Sequence, residues 1–169
     1  SLNEDLGYDE MVQSMLAADE LWPEDQERLA ATGFIVRNWF KWNYDTWMRD
    51  QVEHTGKAFL GLTFNCALCH DHKYDPVSQE EYFRFRAIFE PLELRHDRVG
   101  GLADPGPFKK YVYAQSYGPI PHGMIRVFDE KLTAETFMYR GGDQRLKIEG
   151  KPAQPPGVPM VLGGERYQA

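Results

Sequence analysis

Cysteine is nearly absent from this chain of 169 residues, which has only Cys66 and Cys69. A disulfide framework is thereby excluded as the basis of the fold, which must rest on a packed core. No basic excess exists either. Nineteen Lys and Arg stand against 26 Asp and Glu, a net charge of −7. Nucleic acid is therefore not an expected partner, since no basic surface is available to neutralise phosphates. No apolar run approaches the ~20 residues that a membrane-spanning helix needs. The first residues carry no basic, apolar leader, so an export signal is expected to have been removed or to lie upstream.

What is present is apolar and aromatic material, 42% and 14% of the residues, with 4 Trp, 9 Tyr and 10 Phe. That supports one domain with room for an appended subdomain. The acidic balance fits solubility and docking to a basic redox partner.

The two cysteines stand together in Cys66-Ala67-Leu68-Cys69-His70. The spacing C-x-x-C-H is what covalent attachment of a c-type haem needs. Two thiols three residues apart on one short turn reach the two vinyl groups of a single porphyrin. The histidine after the second thiol then offers its imidazole to the iron as proximal ligand. A thioredoxin-like redox pair, or two buried thiols beside a histidine, uses the same residues. The following His70-Asp71-His72-Lys73-Tyr74-Asp75-Pro76 adds further ligand types. Zinc held by Cys66, Cys69, His70 and His72 is chemically allowed. Geometry weighs against it, because structural zinc sites draw their ligand pairs from separate segments. The plainer alternative for His72 and Asp75 is a loop that caps itself with side-chain hydrogen bonds before Pro76.

The expected fold class is mainly α: a helical haem-binding part over residues 1–99, then an irregular, partly β C-terminal third over 100–169 that serves as extension and linker. Met11, Val12, Met15, Leu16 and Leu21 recur at helical spacing and predict a helix from about Asp9 to Leu21. Pro23 stops it and begins a short helix through Leu29 and Ala30, ended by Gly33. The aromatic stretch Phe34 to Trp47, with Trp39, Phe40, Trp42 and Tyr44, predicts burial against something large. Val52 to Phe64 predicts the next helix, weakened by Gly56 and Gly61. Ser78 with Glu81 three residues on is a capping-box signature. It opens a helix with Tyr82, Phe85 and Phe89 on one face and Phe83 and Ile88 beside it, ended by Pro91. Beyond Gly100 the chain breaks into pieces. Met124 to Asp129 and Thr136 to Tyr139 are strand-like, Gly141-Gly142-Asp143 is a turn, and Lys151 to Pro159, with four prolines, predicts an extended tail or linker.

The stretch Thr55 to Thr63 running into Cys66 to Pro76 resembles a family of large exported bacterial proteins, abundant in planctomycetes. They are usually described as planctomycete cytochrome c proteins with domains of unknown function. Leu2-Asn3-Glu4-Asp5 with Tyr8-Asp9, Ala30 to Phe34, and Tyr82 to Pro91 carry the same likeness. So do Arg126 to Asp129, Tyr139 to Asp143 and Pro156 to Pro159, so that nearly the whole chain is covered. The resemblance implies an exported haem protein, often encoded near sulfatases and polysaccharide-degrading enzymes. It also implies that this chain is an internal piece of a longer protein with further domains. It supplies no reaction.

Attachment of haem c takes place outside the cytoplasm, so the expected location is periplasmic or secreted. The sixth iron ligand is open. Candidates are His54, His96, His122 and Met124, with His72 and Met160 behind them; a vacant position would favour ligand binding or peroxide chemistry. In a continuous helix His54 would lie about 18 Å from the Cys66 turn, and His72 is too near His70 to reach the opposite face. Three function classes follow. An electron-transfer module needs one haem and a redox partner protein within a larger assembly. A haem enzyme or sensor needs an open distal site, for which Arg95, His96 and Arg98 could serve. A structural or carbohydrate-associated module needs several of Trp39, Trp42, Tyr44 and Trp47 exposed on one face.

Overall fold

The computed structural model describes residues 2–22, 24–36, 43–95, 126–129 and 135–163. The chain forms two compact units, each discontinuous in sequence: Ser1–Arg37 with Leu92–Asp129, and Asn38–Pro91 with Glu130–Ala169. Helix predominates in both. Among the described residues no helix is long and apolar enough to cross a membrane.

The first unit opens with α1 (Tyr8–Leu21), whose buried positions Ser14 and Ala18 recur every four residues. Its backbone leaves helical geometry at Ala17, with φ −149° and ψ 24°. Asp25 caps α2 (Gln26–Ala31) by accepting from the amides of Glu27 and Arg28, both at 3.1 Å. The short α3 (Gly33–Val36) follows directly. Gly33 therefore begins a helix where the sequence predicted an end. Thr32 explains the join: its hydroxyl donates to the Leu29 carbonyl at 2.7 Å, and its own carbonyl accepts from Ile35 at 2.9 Å. Arg28 pairs with Glu10 and lies 4.1 Å over the Trp22 ring, tying α1 to α2. Strand β1 (Leu92–Arg95) pairs antiparallel with β2 (Arg126–Asp129), Leu92 opposite Asp129 and Arg95 opposite Arg126. The strand expected at Met124 to Asp129 is thus present from Arg126, while Pro23 lies outside the described residues.

The second unit is built on α4 (Tyr44–Thr55) and α5 (Gln79–Phe89). Asn43 caps α4 by accepting from Thr46 at 3.0 Å. The helix expected from Val52 to Phe64 thus starts earlier, and it widens into a π-helical turn over Gly56–Leu60 that ends on Gly61 at φ +64°. The reason lies at Gly56, where any Cβ would stand 2.4 Å from the Phe64 ring, so that the helix end must accommodate that ring. Phe64 is wholly buried and stacks on Phe85, centroids 5.0 Å apart. Trp47, Met48 and Val52 fill the α4 side of this core, and Tyr82, Phe83 and Phe89 the α5 side. Ile88 is exposed. Trp39 and Trp42 lie outside the described residues.

Two features of this unit go beyond the sequence reading. Lys151 to Pro159 is extended but docked: the Gln154 amide bonds the Thr136 carbonyl at 2.7 Å and Gly157 bonds that of Arg84 at 3.0 Å. Pro159 is fully buried. A proline-rich stretch has few N–H groups, and these two meet carbonyls of the core. The second is an ion network inside the unit. Arg86 meets Asp45 at 2.7 Å and Glu90 at 2.9 Å. Arg49 also holds Asp45 at 2.7 Å, and the Thr136 hydroxyl donates to Glu90 at 3.2 Å.

The capping box is present as predicted. Ser78 Oγ accepts from the Glu81 amide, and Glu81 Oε2 accepts from the Ser78 amide at 2.8 Å, while Glu81 Oε1 takes the Met160 amide at 2.8 Å. Burial alone would raise the Glu81 carboxyl, but these donors and nearby Arg84 outweigh it and hold it below its ordinary 4.5. A depressed carboxyl stabilises the fold above the unfolded value and loses that contribution as pH falls through the folded one. The melting temperature should therefore be level down to about pH 5 and fall below about pH 4.5. Glu81→Gln should flatten part of that fall; thermal melts of both proteins between pH 6 and 3 check this, and parallel curves would contradict it.

Candidate functional site

The Cys66 motif sits on a 3₁₀ turn, Asn65–Leu68, that leaves the Phe64 position with the Ala67 amide bonded to the Phe64 carbonyl at 2.9 Å. The turn is two-sided. Phe64 and Ala67 are wholly buried and anchor it to the core, while Cys66, Cys69 and His70 are all exposed. Both thiols are free. The amides of Cys69 and His70 bond the Cys66 carbonyl at 3.2 and 3.3 Å, which closes the turn around the two thiols.

The two histidines of the motif region hold opposite tautomers. His70 Nδ1 lies 2.8 Å from the Asp71 carbonyl, which can only accept, so Nδ1 carries a proton and, in the neutral ring, Nε2 is the nitrogen with the lone pair. His72 Nδ1 instead accepts from the amides of Asp75 at 2.7 Å and Tyr74 at 3.2 Å. Its proton is then on Nε2, which lies 3.2 Å from Thr63 Oγ1. The Thr63 hydroxyl donates a hydrogen bond to Asp75 Oδ2, which also accepts from the Thr63 amide at 2.8 Å. Those bonds from Thr63 hold the Asp75 carboxyl below the ordinary range. The imidazole of His72 is 6% exposed and both its nitrogens are engaged. His70 offers a lone pair; His72 has none to give.

Residues far away in sequence hold the turn in place. Asp71 Oδ1 accepts from the first amide of α5, Gln79, at 2.8 Å. The Gln79 side-chain amide donates to the carbonyls of Leu68 at 3.0 Å and Tyr139 at 3.1 Å. Gly142, at φ +72°, lies so close behind the motif that a Cβ would stand 2.7 Å from the Leu68 side chain and 3.0 Å from Cys69 Sγ. Arg49 fixes the Gly142 carbonyl at 2.6 Å, linking the ion network to the motif. Gly141, at φ +57°, has open space around it. Gly141→Ala should therefore cost only the left-handed backbone term, about 1–2 kcal/mol. Gly142→Ala adds overpacking and should cost about 2–4 kcal/mol in all. Urea titrations compare the two, and equal losses would contradict the close approach.

Of the other ligand candidates, His54 is exposed in the last turn of α4. Met160 is 67% exposed, with its amide on Glu81. His96, His122 and Met124 lie outside the described residues, as do Arg98 and the side chain of Arg95. Among the described residues no three His, Cys, Asp or Glu side chains converge as a metal-ion site. Sequence reasoning gives Thr63, Gln79, Gly142 and Arg49 no role at the motif. The Gly141-Gly142 pair signalled a turn, but nothing local indicates that it returns to a motif some seventy residues earlier.

Comparison with known proteins gives a family match. Residues 1–93 fit the model of a family described as PSCyt2, protein of unknown function (DUF1549). The match spans the motif and α5. The likeness expected at Arg126 to Asp129, Tyr139 to Asp143 and Pro156 to Pro159 falls outside it. No curated protein and no solved structure matches.

Proposed function

The chain belongs to the PSCyt2 (DUF1549) family, whose function is unknown, and from the geometry of the Cys66 turn we propose that it is a c-type haem protein. The carrying observation is the state of His70. Its Nδ1 is engaged by a backbone carbonyl and its Nε2 lone pair points away from that bond, on an exposed imidazole beside two exposed free thiols. A metal-ligating histidine ordinarily has its second nitrogen fixed in this way. Cys66 and Cys69 would hold the porphyrin through thioethers, each S–H adding across one vinyl double bond. His70 would ligate the iron. The group would supply one-electron chemistry.

The remaining residues orient. His72, Asp75 and Thr63 lock the loop that follows His70, so the imidazole is presented by a fixed backbone. Gln79 and Gly142 back the turn, Gly142 lying against Leu68 and Cys69 Sγ, while both cysteines stay exposed. A zinc site from Cys66, Cys69, His70 and His72 is disfavoured because His72 has both nitrogens in use. A sugar platform is disfavoured for Trp47, which is 1% exposed.

The role we assign is electron transfer outside the cytoplasm, in the periplasm or as a secreted protein, within a larger assembly that includes a redox partner. The test is a visible spectrum of protein matured in an exporting, haem-attaching host, oxidised and dithionite-reduced, with and without CO. A c-type spectrum unmoved by CO is the expected result. A CO-responsive spectrum would transfer the assignment to an open-site enzyme or sensor, and no Soret band would remove haem from the account.

A further inference from the structure

A chain with net charge −7 is expected to attract a basic partner. One patch on the hairpin that backs the motif has the opposite sign. Residues 138–148 form a hairpin, with Tyr139 bridged to Lys147, the Arg140 amide on the Leu146 carbonyl at 2.8 Å, and the Ile148 amide on Met138 at 3.0 Å. Gly142 brings the turn of this hairpin within van der Waals reach of Cys69 Sγ, and Gln79 ties its Tyr139 carbonyl to the motif. The hairpin and the residues that follow it line an open cleft of about 680 Å³ with Arg140, Arg145, Lys147 and Lys151 around exposed Leu146; Glu149 is the one carboxylate in that lining.

Two of these cations have acidic neighbours. Arg145 meets Asp143 at 2.7 Å and Lys151 lies 3.5 Å from Glu80. The Arg145–Asp143 pair is a bidentate fork, Nε on Oδ1 at 2.9 Å and Nη2 on Oδ2 at 2.7 Å, and counts as neutral, whereas the Lys151–Glu80 pair is exposed on both sides and weak. Counting Asp143, Glu149 and Glu80 against the four cations still leaves the patch positive. An apolar centre ringed by exposed charge is the usual anatomy of a transient interface.

We propose that this hairpin is the docking face for a redox partner whose own contact surface is acidic. The inference rests on the haem reading: Cys69, which would carry a thioether, has its Sγ against Gly142 at the turn of the same hairpin. Local charge then governs the encounter, because a partner docking at contact distance senses the nearest charges most strongly once salt screens the remainder.

The test uses the haem-loaded protein and two small oxidants of opposite sign, ferricyanide and tris(phenanthroline)cobalt(III). Each takes one electron from the reduced protein, ferricyanide becoming ferrocyanide and cobalt(III) becoming cobalt(II). Second-order rates are measured from about 0.01 M to about 0.15 M salt, over which the screening length falls from ~30 Å to ~8 Å. The ferricyanide rate is expected to drop several-fold with salt, on the order of tenfold. In the variant Arg140→Gln, Lys147→Gln, Lys151→Gln that slope should vanish or reverse while the cobalt rate rises. A ferricyanide rate that climbs with salt in the wild-type protein would overturn the proposal, since net charge would then control the encounter. An unchanged slope in the variant would do the same. A protein with no c-type spectrum is a separate result: it removes the haem reading itself, and the proposal with it.

Discussion

Arg86→Ala is expected to lower stability by about 3–5 kcal/mol, the cost of removing one partner from a buried ion pair. The Arg86 side chain is 3% exposed, with Nη1 on Asp45 and Nε on Glu90. Burial on its own would ease loss of its proton, but Glu90 and Asp45 more than offset this and hold the guanidinium charged. Its removal leaves Asp45, 6% exposed, with only Arg49 as counter-charge among the described residues, and strips Glu90 of its bond to Arg86 Nε. Lysine is no substitute, because a single ammonium cannot reach both carboxylates in the fork geometry that Arg86 uses. The effect should extend to the motif. Glu90 also holds Thr136, and Arg49 holds Gly142, so residues 135–163 should lose hydrogen-exchange protection together with α5. Urea denaturation measures the first effect. A loss under about 1 kcal/mol would mean the network is not held as drawn.

Cys66→Ala with Cys69→Ala should reduce covalently bound haem to background in protein matured under the same conditions as wild type. Each thiol forms one thioether, so the single variants should retain haem through one bond with lower yield, and the double variant should release any haem into acidified butanone. Folding should be spared. Both thiols are exposed, and the buried contacts of the turn come from Phe64 and Ala67. Circular dichroism melts of the double variant before haem loading would confirm that the loss is chemical. Covalent haem persisting in the double variant would show that the anchors lie elsewhere.

How much of this was legible beforehand follows from the range of the interactions involved. The Ser78 capping box, the buried face of Tyr82, Phe85 and Phe89, and helix α1 are local patterns, and the structure contains all three. The self-capping loop of His72 and Asp75 was one of two readings of a short segment, and it is the arrangement found. What composition could not give is contact across distance. Lys151 to Pro159 has the proline content of a linker, yet it packs because α5 and Thr136 present carbonyls to its amides. The start of α4 is not legible because Phe34 to Trp47 reads as an aromatic block, while Asn43 supplies the cap. Gly56 weakens helices in general but here makes room for Phe64, a reason visible only once the ring is in place. The tautomer of His70 depends on one backbone carbonyl next to it, which no residue pattern records.

The fold also bears on where the functional unit ends. The family match stops at residue 93, yet the clamp on the Cys66 turn comes from Tyr139 and Gly142. The motif and its support are one unit assembled from both sides of that boundary.

The most direct measurement is made on the wild-type chain: intact mass and a pyridine haemochrome, before and after extraction with acidified butanone, on protein matured in an exporting host that attaches haem. The account predicts one haem per chain that survives extraction and gives the haemochrome of a porphyrin with both vinyl groups converted to thioethers. Haem that leaves into the organic phase, or a mass equal to that of the polypeptide with two titratable thiols, would contradict it.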